Sequence, residues 1–207
     1  MAVDAVIFDI GNVLIEWQPE RFYDSEIGRD RREAMFAAID LHAMNDRVDA
    51  GEDFRSVVYE AADANPEWAD EIRMWHDRWI EMATPAIPQS VFLLRALRSK
   101  GIPVWCLTNF GIQSFDFAKL HYDFLDEFDR FFVSGHMGVI KPDPRIYEMV
   151  EEESPFQADR LLFTDDKQDN IAAASARGWQ VHHFDGPHGW ATRLMDEGLL
   201  SEAEARA

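Results

Sequence analysis

A short apolar run, Ala5-Val6-Ile7-Phe8, ends in Asp9, and Gly11-Asn12 follow almost at once. A carboxylate at the end of a buried strand, in a glycine-containing turn, is costly unless it does chemistry. Three more polar signals stand in comparable places. Thr108-Asn109 follow Val104-Trp105-Cys106-Leu107, Lys141-Pro142 follow a turn, and Asp165-Asp166 follow Leu161-Leu162-Phe163. A nucleophilic acid, a hydroxyl–amide pair, a lysine and a double aspartate together suit a phosphate and a magnesium ion. Singly, each has a plainer reading. Asp9 could be a turn carboxylate, Thr108-Asn109 a strand-end cap, Lys141 a surface lysine and Asp165-Asp166 a solvated turn. Their common position at strand ends argues for one site.

The elements that must position them alternate after residue 87. Pro88 suits the first turn of a helix, Val91, Leu94 and Leu97 keep helical spacing, and Gly101 stops it. A strand over 102–107 follows, then a helix over 111–121 and a short buried strand over 131–133. Asp143 is a good N-cap and Pro144 a good first residue for a helix to Glu152. Leu161–Phe163 reads as a strand, a helix over 169–177 is stopped by Gly178, and Val181–Phe184 is the last clear strand. Such alternation predicts an α/β fold: a doubly wound parallel sheet, a Rossmann-like core, with helices on both faces. In open α/β sheets ligands lie beyond the carboxyl ends of the strands, where all four polar signals fall.

Residues 17–85 differ, with almost no strand signal and many helical ones. Trp68, Ile72, Trp75 and Trp79 share one helical face, which reads as packing. Prolines at 19, 85 and 88 flank the segment. The expectation is a helical cap insert over 17–85, with 1–16 and 86–207 forming the core. The acidic, alanine-rich tail after Glu197 reads as a terminal helix or a fray.

The 207 residues are 47% hydrophobic, with 15 Phe and 7 Trp, enough for a substantial core. A formal charge of −19 repels phosphate backbones, so no nucleic-acid partner is expected. A small anion is still admissible, because a lysine and a metal reverse the local field. The single cysteine, Cys106, lies in an apolar run and fits a reducing compartment. No basic region followed by an apolar run marks a signal peptide. No apolar stretch approaches the ~20 residues that span a bilayer, so no membrane partner is expected. A cytoplasmic protein, monomer or homodimer, is the resulting expectation.

The motifs resemble those of the haloacid dehalogenase superfamily, over the whole α/β portion. Phe8-Asp9-Ile10-Gly11-Asn12-Val13-Leu14 resembles the first motif, Leu107-Thr108-Asn109 the second, Lys141-Pro142 the third, and Phe163-Thr164-Asp165-Asp166 with Asn170 the fourth. The insert position resembles the branch with a helical cap, and the first motif the phosphatase branch that reads Asp-x-Gly-Asn-Val. The resemblance implies a Mg²⁺-dependent phosphatase acting on a small phosphorylated metabolite, a sugar phosphate or similar. It implies Asp9 as the nucleophile that forms an aspartyl-phosphate. It implies Mg²⁺ held by Asp9, Asp166 and the backbone carbonyl of Gly11, with Asp165 a further or water-mediated ligand. Thr108, the Asn109 N–H and Lys141 would hold phosphate, and Asn170 would orient the aspartates or the lysine.

Gly11 departs from that pattern. Most phosphatases of the superfamily carry a second aspartate there, which protonates the leaving group, a contribution typically worth ~10²–10⁴-fold. A cap residue or water could take over, the substrate could have a good leaving group, or the protein could be a catalytically weak phosphate-binding protein. A 2-haloacid dehalogenase is the other enzymatic reading. Asp9, Lys141 and Tyr147 fit it, whereas Gly11 and the acids Asp165-Asp166 do not.

Other polar residues carry less. His182, His183 and His188 read as a strand end and turn rather than a metal site. Arg21, His42, Arg47 and His76 lie in the expected cap without an order of preference, and Trp17 and Phe110 flank motifs.

Overall fold

The computed structural model describes residues 2–205. Residue 1 and residues 206–207 of the expected core segments lie outside the described residues. The strands are β1 (Ala5–Phe8), β2 (Ile15–Trp17), β3 (Ala83–Ala86), β4 (Val104–Thr108), β5 (Arg130–Val133), β6 (Leu161–Asp165) and β7 (Gln180–His183). Five of them form a parallel sheet in the order β5-β4-β1-β6-β7. β1 is therefore central, paired Val6 to Val104 on one side and Val6 to Leu162 on the other.

The sequence explains the layering. Every residue of β1, β4 and β6 is buried, as a strand covered on both faces requires. Successive side chains point to opposite faces. Val6, Phe8, Val104, Cys106 and Leu162 join one apolar cluster. Ala5, Ile7, Trp105, Leu107, Leu161 and Phe163 join the other. The α/β expectation is met, and the helices stop near the expected residues: Pro88–Ser99, Ile112–Lys119, Pro144–Glu153 and Gln168–Ala176. Asp143 caps its helix as expected, its side chain accepting from the Arg145 N–H. No helix is long and apolar enough to cross a membrane among the described residues.

Between β2 and β3 lie the cap helices, Pro19–Ile27, Arg29–Ala38, Leu41–Asp49, Phe54–Ala64, Ala69–Asp77 and Trp79–Met82. The expectation of almost no strand in this region needs correction at its edges. β2 and β3 form a two-stranded antiparallel ribbon, Ile15 opposite Ala86 and Trp17 opposite Ala83, with a register shift between. Each strand is too short for an alternating pattern to stand out in sequence. The aromatic stripe is also split. Trp68 closes a 3-10 turn, and Trp79 opens a new helix after the Ala69–Asp77 helix ends. Ile72, Trp75 and Trp79 are buried packing residues, as expected. A further helix, Pro187–Asp196, follows the turn after the last strand, in a stretch for which the sequence suggested no element.

Candidate active site at the carboxyl edge of the sheet

Asp9 is placed by the turn that follows β1. The Ile10 carbonyl accepts from Leu14 N (2.8 Å) and Ile15 N (3.0 Å), which folds the chain sharply back. Asn12 takes a positive φ of 54°, a conformation that asparagine tolerates better than most residues. Its side chain then ties the turn on both sides. Asn12 Nδ2 donates to Asp166 Oδ2 (3.0 Å), and Asn12 Oδ1 accepts from Trp17 N (2.9 Å).

Asp9, Asp165 and Asp166 come together from the ends of β1 and β6. Each offers a carboxylate oxygen within 4.8 Å of the others, the only such acidic group found among the described residues. Lys141 reaches them from the turn before the Pro144–Glu153 helix. Its Nζ lies 3.0 Å from Asp9 Oδ1 and 2.6 Å from Asp165 Oδ2, and donates to the Leu107 carbonyl at 2.9 Å. All three side chains are withdrawn from water: Asp9 is 7% exposed, Lys141 3% and Asp165 0%.

The electrostatics follow from that burial. Desolvation pushes the Asp9 carboxyl up to about 7; Lys141 opposes the shift, and Asp165 and Asp166 add to it. Burial also raises Asp166, with the Asn12 hydrogen bond opposing. Desolvation works against the Lys141 ammonium, but Asp165 and Asp9 outweigh it and hold its proton more firmly than usual. A lysine between two carboxylates is the paired state that makes such burial tolerable.

Asp165 and Asp166 have different surroundings. Asp165 accepts from Lys141 Nζ, from Lys167 N (2.7 Å) and from Asn170 Nδ2 (3.0 Å to each oxygen). Its lone pairs are largely committed to holding the lysine and the start of the next helix. Asp166 accepts from Asn12 at one oxygen and lines the cleft. Asp9 and Asp166 thus present the oxygen-rich, partly desolvated donors that a hard divalent cation takes. The residues present fit Mg²⁺.

Asn109, expected to offer its backbone N–H to phosphate, has a separate task for its side chain. Its side chain clamps Lys141, Oδ1 accepting from Lys141 N (2.7 Å) and Nδ2 donating to Lys141 O (2.9 Å). Thr108 is buried at the end of β4. Gly11 lines the cleft, and a Cβ placed there would meet nothing within 4 Å.

The cleft, of about 290 Å³, is floored by Asp9, Gly11, Asn12, Asn109, Lys141, Asp166 and Lys167. The cap contributes His42, Asn45, Asp46, Asp49 and Trp79, and Trp17 and Phe110 complete an aromatic wall. Of Arg21, His42, Arg47 and His76, only His42 lines the cleft. Arg47 pairs with Glu52 and Glu60, His76 with Asp77, and Arg21 with Glu16. The histidines of the last strand form no metal cluster among the described residues. His183 Nε2 instead donates to the Asp166 carbonyl at 2.9 Å. Tyr147 is fully buried, and its hydroxyl donates to the Asn170 carbonyl (3.0 Å) rather than reaching the cleft. Burial pushes the Cys106 thiol up to about 12, which leaves it inert. Sequence reading missed Asp49 and Lys167. Asp49 lies on a cap helix with no motif around it; the signal that could have found it is Asn45, Asp46 and Asp49 sharing one helix face.

Residues 3–178 match the family model of the haloacid dehalogenase-like hydrolases. The chain belongs to that family, with an α/β fold and a helical cap. Among curated relatives it is 37% identical, over 93 residues, to a sesquiterpene phosphatase of Aspergillus oryzae, a stretch covering 44% of this chain and 47% of that protein. It is 29% identical, over 126 residues, to an (S)-2-haloacid dehalogenase of Pseudomonas putida, covering 58% of this chain and 52% of that protein. The chain thus spans about half the length of the curated relatives it matches. A solved haloacid dehalogenase family enzyme of Bacteroides thetaiotaomicron superposes with a TM-score of 0.73 at 21% identity, over 92% of this chain and 99% of that one. The same enzyme in complex with magnesium and inorganic phosphate gives a TM-score of 0.68 at 22% identity, over 87% and 93%.

Proposed function

We propose that the protein is a Mg²⁺-dependent phosphatase acting on the monophosphate of a small, largely uncharged organic group, a sugar phosphate or similar. The observation that carries this reading is the gathering of the Asp9, Asp165 and Asp166 carboxylates within 4.8 Å beside a buried lysine. Asp9 attacks phosphorus and displaces the leaving-group oxygen, forming an aspartyl-phosphate that water then hydrolyses. Lys141 sets the nucleophile's orientation and offers positive charge to the phosphoryl oxygens. Asp165 and Asn170 hold that lysine in place. Mg²⁺, bound by Asp9, Asp166 and the Gly11 carbonyl, would offset the repulsion between carboxylate and phosphate and draw charge from the transition state. The cap closes over the substrate and excludes water. Asp46, Asp49 and Glu16 around the cleft disfavour a second anionic group on the substrate, while Trp17, Trp79 and Phe110 offer apolar surface to its organic part. The sesquiterpene phosphatase relative supports the reaction class.

The dehalogenase relative favours a second reading, displacement of halide from a 2-haloacid by Asp9 without metal. Two acids beside a substrate carboxylate weigh against it, because like charges in a buried site repel strongly. A panel of phosphate esters decides the matter. The expected result is phosphate release that requires Mg²⁺ and is lost in Asp9→Asn. Chloride release from 2-chloropropionate without metal would establish the second reading. Phosphate binding without turnover would mark a weak phosphate-binding protein.

A further inference from the structure

We propose that Asp49, carried by the cap, is the general acid–base of the reaction, in place of the acid that Gly11 does not supply. This rests on the phosphatase reading above. Three observations carry it. First, the floor of the cleft has a gap: Gly11 faces open space and has no side chain to give or take a proton. Second, Asp49 enters the same cleft from the last turn of the Leu41–Asp49 helix. Third, it is anchored rather than loose. Asn45 Nδ2 donates to Asp49 Oδ2 (2.9 Å), and the Asp49 carbonyl accepts from Ser134 Oγ (2.6 Å) at the end of β5. Ser134 Oγ in turn accepts from Phe110 N (2.9 Å), one residue after Asn109. The chain turns immediately after Asp49 at Gly51, where an added Cβ would stand 2.5 Å from the Gly135 carbonyl. The cap end that bears Asp49 is therefore pressed against the core beside the nucleophile.

The other acids of the cleft are committed or exposed. Glu16 is paired with Arg21 (2.6 Å), Asp46 is exposed, and Asp166 belongs to the cation-binding set. Of the half-buried acids of the cleft outside that set, Glu16 is ion-paired and Asp49 is not, among the described residues. Burial pushes its carboxyl up to about 7, with Asp46 adding and Lys167, the Gly111 N–H and Asp9 acting more weakly, the first two against the shift. An acid in that range can hold a proton and release it near neutral pH.

The step balances. The Asp9 oxygen–phosphorus bond forms as the phosphorus–leaving-oxygen bond breaks. The breaking bond's electron pair goes to the leaving oxygen, which takes the Asp49 proton and departs as an alcohol. Asp49, now a carboxylate, accepts a proton from the water that hydrolyses the aspartyl-phosphate, which restores both aspartates.

The test is the leaving-group dependence of kcat/KM, which reads the steps through alcohol release. Protonation matters for an alkyl phosphate and little for p-nitrophenyl phosphate, whose leaving group departs as an anion. Asp49→Asn and Asp49→Ser are both measured on the full chain with Mg²⁺. The expected loss on an alkyl phosphate is ~10²–10⁴-fold, at least tenfold greater than the loss on the aryl ester. Equal losses on both esters in a folded variant, or no loss on either, would overturn the assignment of Asp49 and leave the phosphatase reading standing. A parent protein that cleaves neither ester would overturn both.

Discussion

Asn109 holds Lys141 by its backbone at both ends, accepting from the lysine N–H at 2.7 Å and donating to the lysine carbonyl at 2.9 Å. The residue after β4 thereby fixes the residue that neutralises the ends of β1 and β6. Removing it should act through the lysine. Asn109→Ala is expected to lower kcat by about 10–100-fold, the range typical when a partner that orients an active-site ligand is lost. Asn109→Asp keeps the acceptor and loses the donor, so its loss should be smaller. Equal losses in the two variants would count against the clamp.

Lys141→Met leaves Asp9 and Asp165 facing each other without their shared cation. Breaking a buried ionic network by removing one partner costs about 3–5 kcal/mol. In a chain of this size that corresponds to a fall in Tm of roughly 6–20 °C. Thermal melts at neutral pH, without metal, measure it. A Tm within a degree or two of the parent would mean that the network relaxes through water.

Mg²⁺ should raise Tm, because a cation that binds only the folded site stabilises it by about 2.7 kcal/mol at a hundred times its Kd. Asp166→Asn should abolish the shift. Since Asp9 must give up a proton held near 7, the cation should bind more tightly as pH rises through that value. Calorimetric titration at pH 6 and pH 8 would reveal the difference, and equal affinities would contradict the raised carboxyl.

Asp49 leaves a signature in stability as well. Its carboxyl is raised from 3.8 to about 7 on folding, so between those values the native state binds more protons than the unfolded chain. Stability must then fall as pH rises through this window. Asp49→Asn removes that contribution. The variant's Tm should decline less steeply from pH 4 to pH 7, and at pH 8 without metal it should exceed the parent's. An unchanged slope would mean that the carboxyl titrates normally.

Gly11→Asp puts a carboxylate into open space two residues after the nucleophile. With Asp49→Asn in the same chain it should restore turnover of alkyl phosphates, since either position can deliver the proton. In the parent background it should raise turnover of sugar or alkyl phosphates only modestly if Asp49 already serves. A large gain in the parent would show that no acid was present before the change.

Much of this arrangement was legible in the sequence, for a physical reason. Buried parallel strands show as continuous apolar runs, so the polar residues that close them stand out at Asp9, Thr108-Asn109 and Asp165-Asp166. The helices between them carry caps and stops that act locally, such as Asp143 and Gly178. What stayed hidden depends on contacts far apart in the chain. The ribbon of β2 and β3 pairs Ile15 with Ala86, and neither strand has a pattern of its own. The reach of Asn109 to Lys141, and of Asn12 to Asp166, is set by the fold rather than by neighbours. Asp49 looks like any polar residue on an amphipathic helix until the helix is laid across the sheet edge.

One oxygen joins these layers. Ser134 Oγ takes the Phe110 N–H from the core and gives its proton to the Asp49 carbonyl of the cap. The cap is thus tied to the core at the end that bears Asp49. Any cap movement that preserves this bond therefore keeps the Asp49 end at the cleft that Asp9 lines.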